Sequence, residues 1–482
     1  MKRANMQWSI GDRQIHEQTS IGSVMPCATT KIAVLLAGVI FIVMSCSSNE
    51  EASKKIQLIT LDPGHFHAAL VQKTMYQGVD SVVHVYAPGG NDLQLHLARI
   101  NGYNNRKENP TGWKEEVYTG NDFFEKMISE KKGNVVVLSG NNQRKGEYIL
   151  RSLQNGFDVL ADKPMAVDGK GFEELKQAFN VAQKNNLLLY DIMTERFEIS
   201  SILQREISMI PEIFGTLQQG TVNDPAVVKE STHFFYKYVS GNVVTRPPWF
   251  FDVAQQGEGI ADVMTHLVDL VQWECFPNES IDYTKDIQID SAKHWTTELS
   301  LEQFKTLTKV DAFPPYLRKD ISTDTTVKIF ANGEIDYVIR GVHAKTTTLW
   351  KYKSDQNTGD LYYAVMKGTK TNLIIKQGAE ENYQPTLYIE PTESFKRNDI
   401  SDDFKKIRDK FPGVELQPTN NGWKIVVPDK YKEGHEEHFG RVTINFLEYL
   451  EKKNMPGWEV PNMLAKYYVT TNALALIRAN GN

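Results

Sequence analysis

The sequence predicts an α/β fold in which a doubly wound parallel sheet is followed by an α+β domain. From Lys55 to about residue 192, short apolar runs alternate with segments whose apolar residues have helical spacing. Alternation of this kind is typical of a parallel sheet covered by helices. Beyond Phe276 the chain changes to short alternating runs rich in Thr and aromatic residues, which favour strands; examples are 326–330, 335–340 and 373–376.

The elements of the first half follow one another in a regular order. The predicted strands are 56–61, 82–86, 135–138, 159–161 and 187–190, and the predicted helices are 66–77, 92–100, 145–154 and 172–184. A closing helix is predicted over 464–477. The length of 482 residues is enough for two or more domains.

The composition is that of a globular protein, with 41% hydrophobic and 24% charged residues. The formal net charge is −6, so nothing favours nucleic acid as a partner.

The N-terminal 46 residues indicate an export signal. An unbroken apolar or small run, Ile32 to Met44, is short for a membrane span and typical of a signal-peptide core. The segment that follows resembles a bacterial lipobox ending in Cys46, which predicts lipidation there and a short polar tether over 47–54. The alternative is an ordinary signal peptide with an incidental Cys. Met25 is a plausible true start.

These N-terminal features predict an exported lipoprotein that contacts a membrane only through its lipid anchor. We expect it on the periplasmic side of the inner membrane or on the outer membrane, with the cell surface as a further option because the tether is acidic.

The segment from Gln256 to Trp273 predicts an amphipathic helix, because its apolar residues recur at three- and four-residue steps. Asp262 and His266 are four residues apart, so we expect them one turn apart on one helix face. A carboxylate and an imidazole placed in this way can hold and move a proton. The alternative is a core helix in which Asp262 satisfies the hydrogen bonding of His266.

The first strand–helix turn spans Asp62 to His67. In doubly wound folds this turn holds a dinucleotide pyrophosphate on backbone N–H groups. Of the glycine pattern GxGxxG only the middle position, Gly64, is present, and the rest of the candidate turn is His65, Phe66 and His67. The two histidines could contact phosphate or could cap the helix. No acidic residue follows the second strand, so the choice between NAD and NADP stays open.

Two further segments carry a family resemblance. One is Ser139-Gly140-Asn141-Asn142, and the other is the stretch GFDVLADKPMA from Gly156 to Ala166. They resemble the glucose–fructose oxidoreductase/inositol dehydrogenase family, often called Gfo/Idh/MocA, whose corresponding stretch reads GKHVLCEKPLA. The resemblance implies cofactor contacts from Asn141, Asn142, Asp162, Lys163 and Pro164. Lys145 stands where the family has a histidine.

The resemblance continues through Gly257-x-Gly259-x-x-Asp262-x-x-x-His266. It implies a catalytic set of Lys163, Asp262 and His266, with His266 as the general base. It also implies a Rossmann-type dinucleotide-binding domain over 55–192, and an α+β domain over 193–482 with an open, mainly antiparallel sheet for substrate binding and oligomerisation. A homo-oligomer is the expected assembly.

The implied reaction is NAD(P)-dependent oxidation or reduction at a hydroxyl or keto group of a sugar, polyol or glycoside. Because free nucleotide is scarce outside the cytoplasm, we expect tightly bound nucleotide that a second carbonyl substrate recycles. Candidates for the substrate wall are His233, Tyr236, Lys237 and Trp249, each of which could instead be packing.

Two other functions stay open at this point. One is an NAD-dependent glycoside hydrolase on the same scaffold, and the other is a non-catalytic sugar-binding lipoprotein. The segment His435-Glu436-Glu437-His438 lacks the spacing of a zincin helix, so we interpret it as a solvated face and expect no metal site.

Overall fold

The computed structural model describes residues 55–239, 242–323, 325–353, 359–397 and 399–481. The predicted signal region, Cys46 and the tether lie outside the described residues. Within the described part of the chain, no helix combines the length and the apolar character needed to cross a membrane.

The first sheet is parallel throughout and has the strand order β3-β2-β1-β4-β5-β6. Its central strands are apolar runs buried on both faces, as parallel sheets require. The strands are β1 Leu58–Leu61, β2 Val82–Ala87, β3 Lys114–Thr119, β4 Val135–Leu138, β5 Asp158–Asp162 and β6 Leu189–Ile192.

Five helices connect these strands: α1 His67–Leu70, α2 Asn91–Asn105, α3 Phe123–Glu130, α4 Lys145–Gln154 and α5 Gly169–Asn185. The predicted helix over 66–77 is wrong beyond Leu70. Trp113 donates to the carbonyl of Gln72 and Arg106 to that of Lys73, so contacts with distant residues take the carbonyls that a longer helix would use.

The second sheet has ten strands and is antiparallel apart from one parallel pair, β9–β15. Its order is β12-β14-β15-β9-β16-β17-β18-β20-β19, with β13 paired to β14. The fold class predicted from the sequence is therefore confirmed. The strands of this half are β7 Gly220–Thr221, β8 Asp224–Pro225, β9 Val227–Tyr236, β10 Tyr238–Val239, β11 Asn242–Val243, β12 Ile287–Ser300, β13 Ile321–Thr323, β14 Thr326–Ile339, β15 Val342–Lys353, β16 Leu361–Lys367, β17 Thr371–Gln377, β18 Thr386–Pro391, β19 Glu415–Thr419 and β20 Gly422–Val426.

The described residues of the second half form seven α-helices: α6 Ile199–Ser208, α7 Val253–Gln256, α8 Met264–Cys275, α9 Leu301–Thr308, α10 Lys405–Lys410, α11 His435–Lys452 and α12 Glu459–Ala479. The last two return to the first sheet. Phe439 and Phe446 of α11 and Tyr467 of α12 are buried in the core of the parallel sheet. Ala465 and Val469, also on α12, are buried against the second sheet. The end of the sequence therefore joins both sheets.

Candidate active site

A cavity of about 770 Å³ lies where the carboxyl ends of β1, β4 and β5 face the second sheet. This is the edge at which parallel sheets of α/β proteins bind their ligands. The predicted site residues that line it are His65, Phe66, His67, Asn142, Asp162, Lys163, His233, Lys237, Asp262 and His266.

Lys163 and Asp262 form a buried ion pair at one wall of this cavity. The ammonium group of Lys163 donates to Oδ1 of Asp262 at 2.5 Å, and both side chains are largely buried. Burial alone would raise the pKa of Asp262, but the adjacent Lys163 lowers it below its usual value. The pair joins the loop after β5 to the turn before α8.

His266 is the free base of the site. Its Nδ1 atom is buried and has no hydrogen-bond partner among the described residues. Burial and the neighbouring charge of Lys163 lower the pKa of His266 to about 3, so the imidazole is neutral at physiological pH. Because Asp262 bonds to Lys163, the structure does not show the alternative in which Asp262 satisfies His266.

The turn that presents Asp262 precedes the helix. We predicted a helix over 256–273, whereas α8 begins at Met264. Gly259 explains why the helix begins later than predicted. Its N–H donates to the carbonyl of Phe330, and a Cβ at this position would meet the carbonyl oxygen of Ala331 at 1.9 Å. The turn is therefore fixed against the backbone of β14, and its own hydrogen bonds start from Glu258.

The first turn packs against two other parts of the chain. A Cβ at Gly140 would meet the carbonyl oxygen of Asp62 at 2.3 Å, so only glycine lets the loop after β4 approach this turn. A Cβ at Gly64 would meet the ring of Trp249 at 3.0 Å and the carboxylate of Asp92 at 3.3 Å. The Trp249 indole donates to Asp92 at 2.7 Å. Trp249, predicted for the substrate wall, thus covers the dinucleotide turn.

His65 and His67 do not cap the helix that follows them, and contact of either side chain with phosphate stays a prediction. The N-cap of α1 is Phe66, and no side chain caps this helix. Nδ1 of His67 lies 2.9 Å from Oδ2 of Asp162, and Nδ1 of His65 lies 3.8 Å from the same oxygen. Burial lowers the pKa of His67 to about 4, so its ring is neutral at physiological pH.

The two asparagines after β4 form hydrogen bonds with α7. Asn141 donates to the side chain of Gln255 at 2.7 Å, and Asn142 donates to the carbonyl of Gln256 at 2.6 Å. Oδ1 of Asn142 is buried and unpartnered within the described ranges. Pro164 follows Lys163 across a cis peptide bond.

Lys145 holds the end of β5. Its ammonium group donates to the carbonyl of Asp162 at 2.9 Å, and burial lowers its pKa to about 8. The lysine that replaces the family's histidine therefore positions the Asp162–Lys163 segment through its backbone.

The far end of the cavity centres on Asp360, which the sequence did not single out. His233 Nδ1 and Lys237 Nζ each lie 2.9 Å from Oδ2 of Asp360. Oδ1 of Asp360 and Nε2 of His233 are buried and lack partners in the part of the chain that is described. Tyr236, in contrast, packs against Tyr352 and does not line the cavity.

A third wall of the cavity comes from α11, and here the interpretation of 435–438 as a solvated face is wrong for His438, although His435 and Glu437 are exposed. His438 is buried, and Nε2 of His435 lies 3.4 Å from Nε2 of His67. On its other side, Nδ1 of His435 lies 3.7 Å from Glu195. The helical spacing of His438, Phe439, Val442 and Phe446 was the available signal for a buried face.

The parallel sheet and the residues gathered at its carboxyl edge define an NAD-binding oxidoreductase of the Rossmann type. Residues 63–191 match the family described as "Oxidoreductase family, NAD-binding Rossmann fold". Residues 203–478 match the "Putative oxidoreductase C terminal domain". The chain belongs to the Gfo/Idh/MocA family, as the sequence predicted, and the family confirms the predicted cofactor class, NAD or NADP.

Solved structures agree with this assignment. A "putative oxidoreductase" from Parabacteroides merdae is 51% identical, with 88% of this chain and 98% of that chain covered and a TM-score of 0.86. Levoglucosan dehydrogenase with NADH and levoglucosan is 11% identical, covers 88% and 97%, and has a TM-score of 0.54. Biliverdin reductase from Synechocystis is 10% identical, covers 88% and 99%, and has a TM-score of 0.52. The last two show the fold alone. No curated protein matches the chain.

The residues present fit a nicotinamide dinucleotide on the cavity side. Gly140, Asn142 and Lys163 line the wall at the carboxyl ends of β4 and β5, where the fold holds the nicotinamide half. The buried, unpartnered Oδ1 of Asn142 offers an acceptor there. Gly64 and the backbone of the first turn are the groups that would hold the pyrophosphate.

Proposed function

We propose that this protein oxidises a hydroxyl group of a sugar, polyol or glycoside to a carbonyl group, with a tightly bound nicotinamide dinucleotide. The observation that carries the proposal is the meeting of Lys163, Asp262 and His266 at one cavity wall, with His266 neutral and unpartnered. A binding protein has no need of a free base beside a buried ammonium group.

The chain's own residues account for the proton and the charge. The neutral imidazole of His266 accepts the proton of the substrate hydroxyl. The ammonium group of Lys163 stabilises the oxygen as negative charge develops on it, and Asp262 holds that ammonium group in place. The bound nicotinamide supplies the hydride acceptor.

The Asp360 end of the cavity supports a carbohydrate substrate. His233, Lys237 and Asp360 offer donors and acceptors in a half-buried setting, and Trp350 lies beneath His233 with a ring-centroid separation of 5.2 Å. A sugar has several hydroxyl groups and an apolar face. The polar side chains can bind the hydroxyl groups, and the aromatic rings can pack against the apolar face. Levoglucosan dehydrogenase, a structural neighbour, is named for a sugar substrate.

The cell address remains part of the proposal. If Cys46 is lipidated, the enzyme works where free nucleotide is scarce, so the bound nucleotide returns to its oxidised form by reducing a second carbonyl substrate. The expected assembly is a homo-oligomer anchored through lipid.

The test starts from the full-length protein purified in detergent. After denaturation, the supernatant is examined for NAD or NADP by absorbance and mass. The native protein is then mixed with a panel of glycosides and polyols while the absorbance of reduced nucleotide is followed, and the products are identified.

A keto product with the glycosidic bond intact supports the proposal. Cleaved sugar identifies the glycoside hydrolase alternative. Protein that holds nucleotide but reduces none of it with any carbohydrate contradicts the substrate class, and protein without nucleotide contradicts the proposal as a whole.

A further inference from the structure

Three side chains at the cavity wall form a cluster that the proposed chemistry does not use. His65, His67 and Asp162 each offer one ligand atom, and these atoms all lie within 4.8 Å of one another. His65 and His67 come from the turn after β1, and Asp162 is the last residue of β5. The cluster therefore joins the carboxyl ends of β1 and β5, which lie on either side of β4 in the parallel sheet.

The hydrogen bonds within the cluster leave atoms unpaired. Asp162 accepts from Ser139 at 2.9 Å and faces His67 at 2.9 Å, both through Oδ2. Its Oδ1 atom is buried without a partner among the described residues, as is Nδ1 of His65. Leaving a carboxylate oxygen and a ring nitrogen buried and unpaired costs free energy, unless a ligand binds them.

We propose that His65, His67 and Asp162 bind one divalent transition-metal ion at the cavity wall. Two imidazoles and one carboxylate are a donor set typical of Zn²⁺ and of non-haem Fe²⁺. All three residues line the cavity, so the remaining coordination position faces the space beside Lys163 and His266. A hydroxyl or carbonyl oxygen of a small ligand can occupy that position.

The surroundings provide the supporting contacts that metal sites need. A metal-bound histidine uses its second ring nitrogen for a hydrogen bond that fixes the ring. For His67 that partner is His435, at 3.4 Å between the two Nε2 atoms. Ser139 donates to the carboxylate of Asp162, and Lys145 donates to its backbone carbonyl. His435 thus has a positioning role in this site.

This site goes beyond the proposed function, because it gives the side chains of His65 and His67 a ligand other than nucleotide. The backbone of the turn and Gly64 stay available to the dinucleotide. Metal binding and nucleotide binding are measured separately, so either can fail alone.

The experiment uses the full-length protein in detergent, stripped with a chelator and dialysed against Zn²⁺ or Co²⁺. We expect about one tightly bound ion per chain by elemental analysis, a Co²⁺ absorption spectrum of nitrogen–oxygen coordination, and a higher melting temperature with metal. His65→Asn, His67→Asn and Asp162→Asn should each abolish all three signals. His435→Ala should weaken binding about 10–100-fold, as loss of a supporting contact does.

The matched control is His84→Asn, which removes a buried histidine that contacts Gln57 and Glu116 and does not line the cavity. It should bind metal like the wild type. Should one ligand variant fail to fold, the other two and the Co²⁺ spectrum of the wild type still decide. Wild-type protein that takes up no ion overturns the site, and so do ligand variants that bind as well as the control, whatever nucleotide the protein holds.

Discussion

At the scale of single residues, the site depends on a base that is neutral because it is buried beside a positive charge. His266 has no hydrogen-bond partner for Nδ1 among the described residues, and Lys163 is occupied by Asp262. The arrangement therefore makes separate predictions for the two residues.

Replacing His266 by Ala should slow alcohol oxidation by roughly 10²–10⁴ while bound nucleotide is retained, because His266 acts on the substrate proton. Replacing Lys163 by Ala should slow oxidation and also weaken nucleotide binding, since Lys163 ends the segment at the cofactor wall. Single-turnover reduction of the bound nucleotide and its release on denaturation measure the two effects.

The matched control is His96→Ala, which removes another buried histidine, whose Nε2 atom lies 4.0 Å from Glu115 and which does not line the cavity. It should leave the rate unchanged. A stable His266→Ala protein that reacts at the wild-type rate would return His266 to a packing role.

The pH dependence provides an independent test of the same residue. Because the pKa of His266 is lowered to about 3, the basic form is present at every pH above that value. The rate of oxidation should therefore show no step near about 6.5, the ordinary pKa of histidine. Single-turnover rates measured from about pH 5 to 8 check this, and a fall centred near 6.5 that His266→Gln abolishes would contradict it.

At the scale of elements, the site is built from turns held by distant partners. The turn before α1 is covered by Trp249, and the turn before α8 lies on the backbone of β14. Buried ion pairs hold the helices behind them. Arg196 binds Asp269 of α8 through two hydrogen bonds of 2.6 and 2.7 Å, and Lys466 of α12 binds the same carboxylate at 2.8 Å.

Gly64→Val should remove bound nucleotide from a folded protein. The family holds the pyrophosphate against the backbone of this turn, and a side chain at Gly64, whose Cβ meets Trp249 at 3.0 Å, should displace that backbone. Released nucleotide per chain measures the effect. Gly112→Val, at a position with nothing within 4 Å of the added Cβ, is the control and should retain nucleotide. Equal nucleotide in both variants would remove Gly64 from the cofactor site.

Asp269→Asn should lower the free energy of unfolding by about 3–5 kcal/mol, because it leaves two buried cations without their shared carboxylate. Chemical denaturation measures the change. Burial alone would raise the pKa of Asp269, but Arg196 and Lys466 lower it below its usual value. Its contribution to stability is therefore complete above the unfolded pKa of about 4 and is lost as the pH falls from there through the lower pKa of the folded state.

The control for this prediction is Asp282→Asn on the surface, where the loss should stay within about 0.5 kcal/mol. If both variants unfold alike, the buried network contributes nothing beyond an exposed pair.

The sequence predicted best the features that depend on neighbours along the chain. The bounds of α4 follow from its apolar spacing, and Lys163 was found because it lies in a continuous family stretch. Asp360, Glu195 and His435 were missed as site residues, since they reach the cavity only through long-range packing. The early end of α1 also depends on remote donors, and no local pattern shows them.

At the scale of the whole molecule, localisation at a membrane stays a prediction. Cys46 should carry lipid that holds the mature protein in a membrane fraction. A single acyl chain binds a membrane only marginally, whereas the several chains expected on a lipoprotein cysteine anchor it stably. Membrane partitioning of wild type and Cys46→Ser after fractionation measures this, with Cys275→Ser as the matched control. Unchanged partitioning of Cys46→Ser would show that the lipobox interpretation is wrong.

The return of α11 and α12 to the first sheet also fixes the order in which the molecule can be completed. Phe439, Phe446 and Tyr467 belong to a core whose other members were synthesised hundreds of residues earlier. The parallel sheet therefore cannot close its core while the chain is still growing. A nascent chain that stays incomplete until its last helices emerge is held open during synthesis, which suits a protein predicted to cross a membrane before it folds.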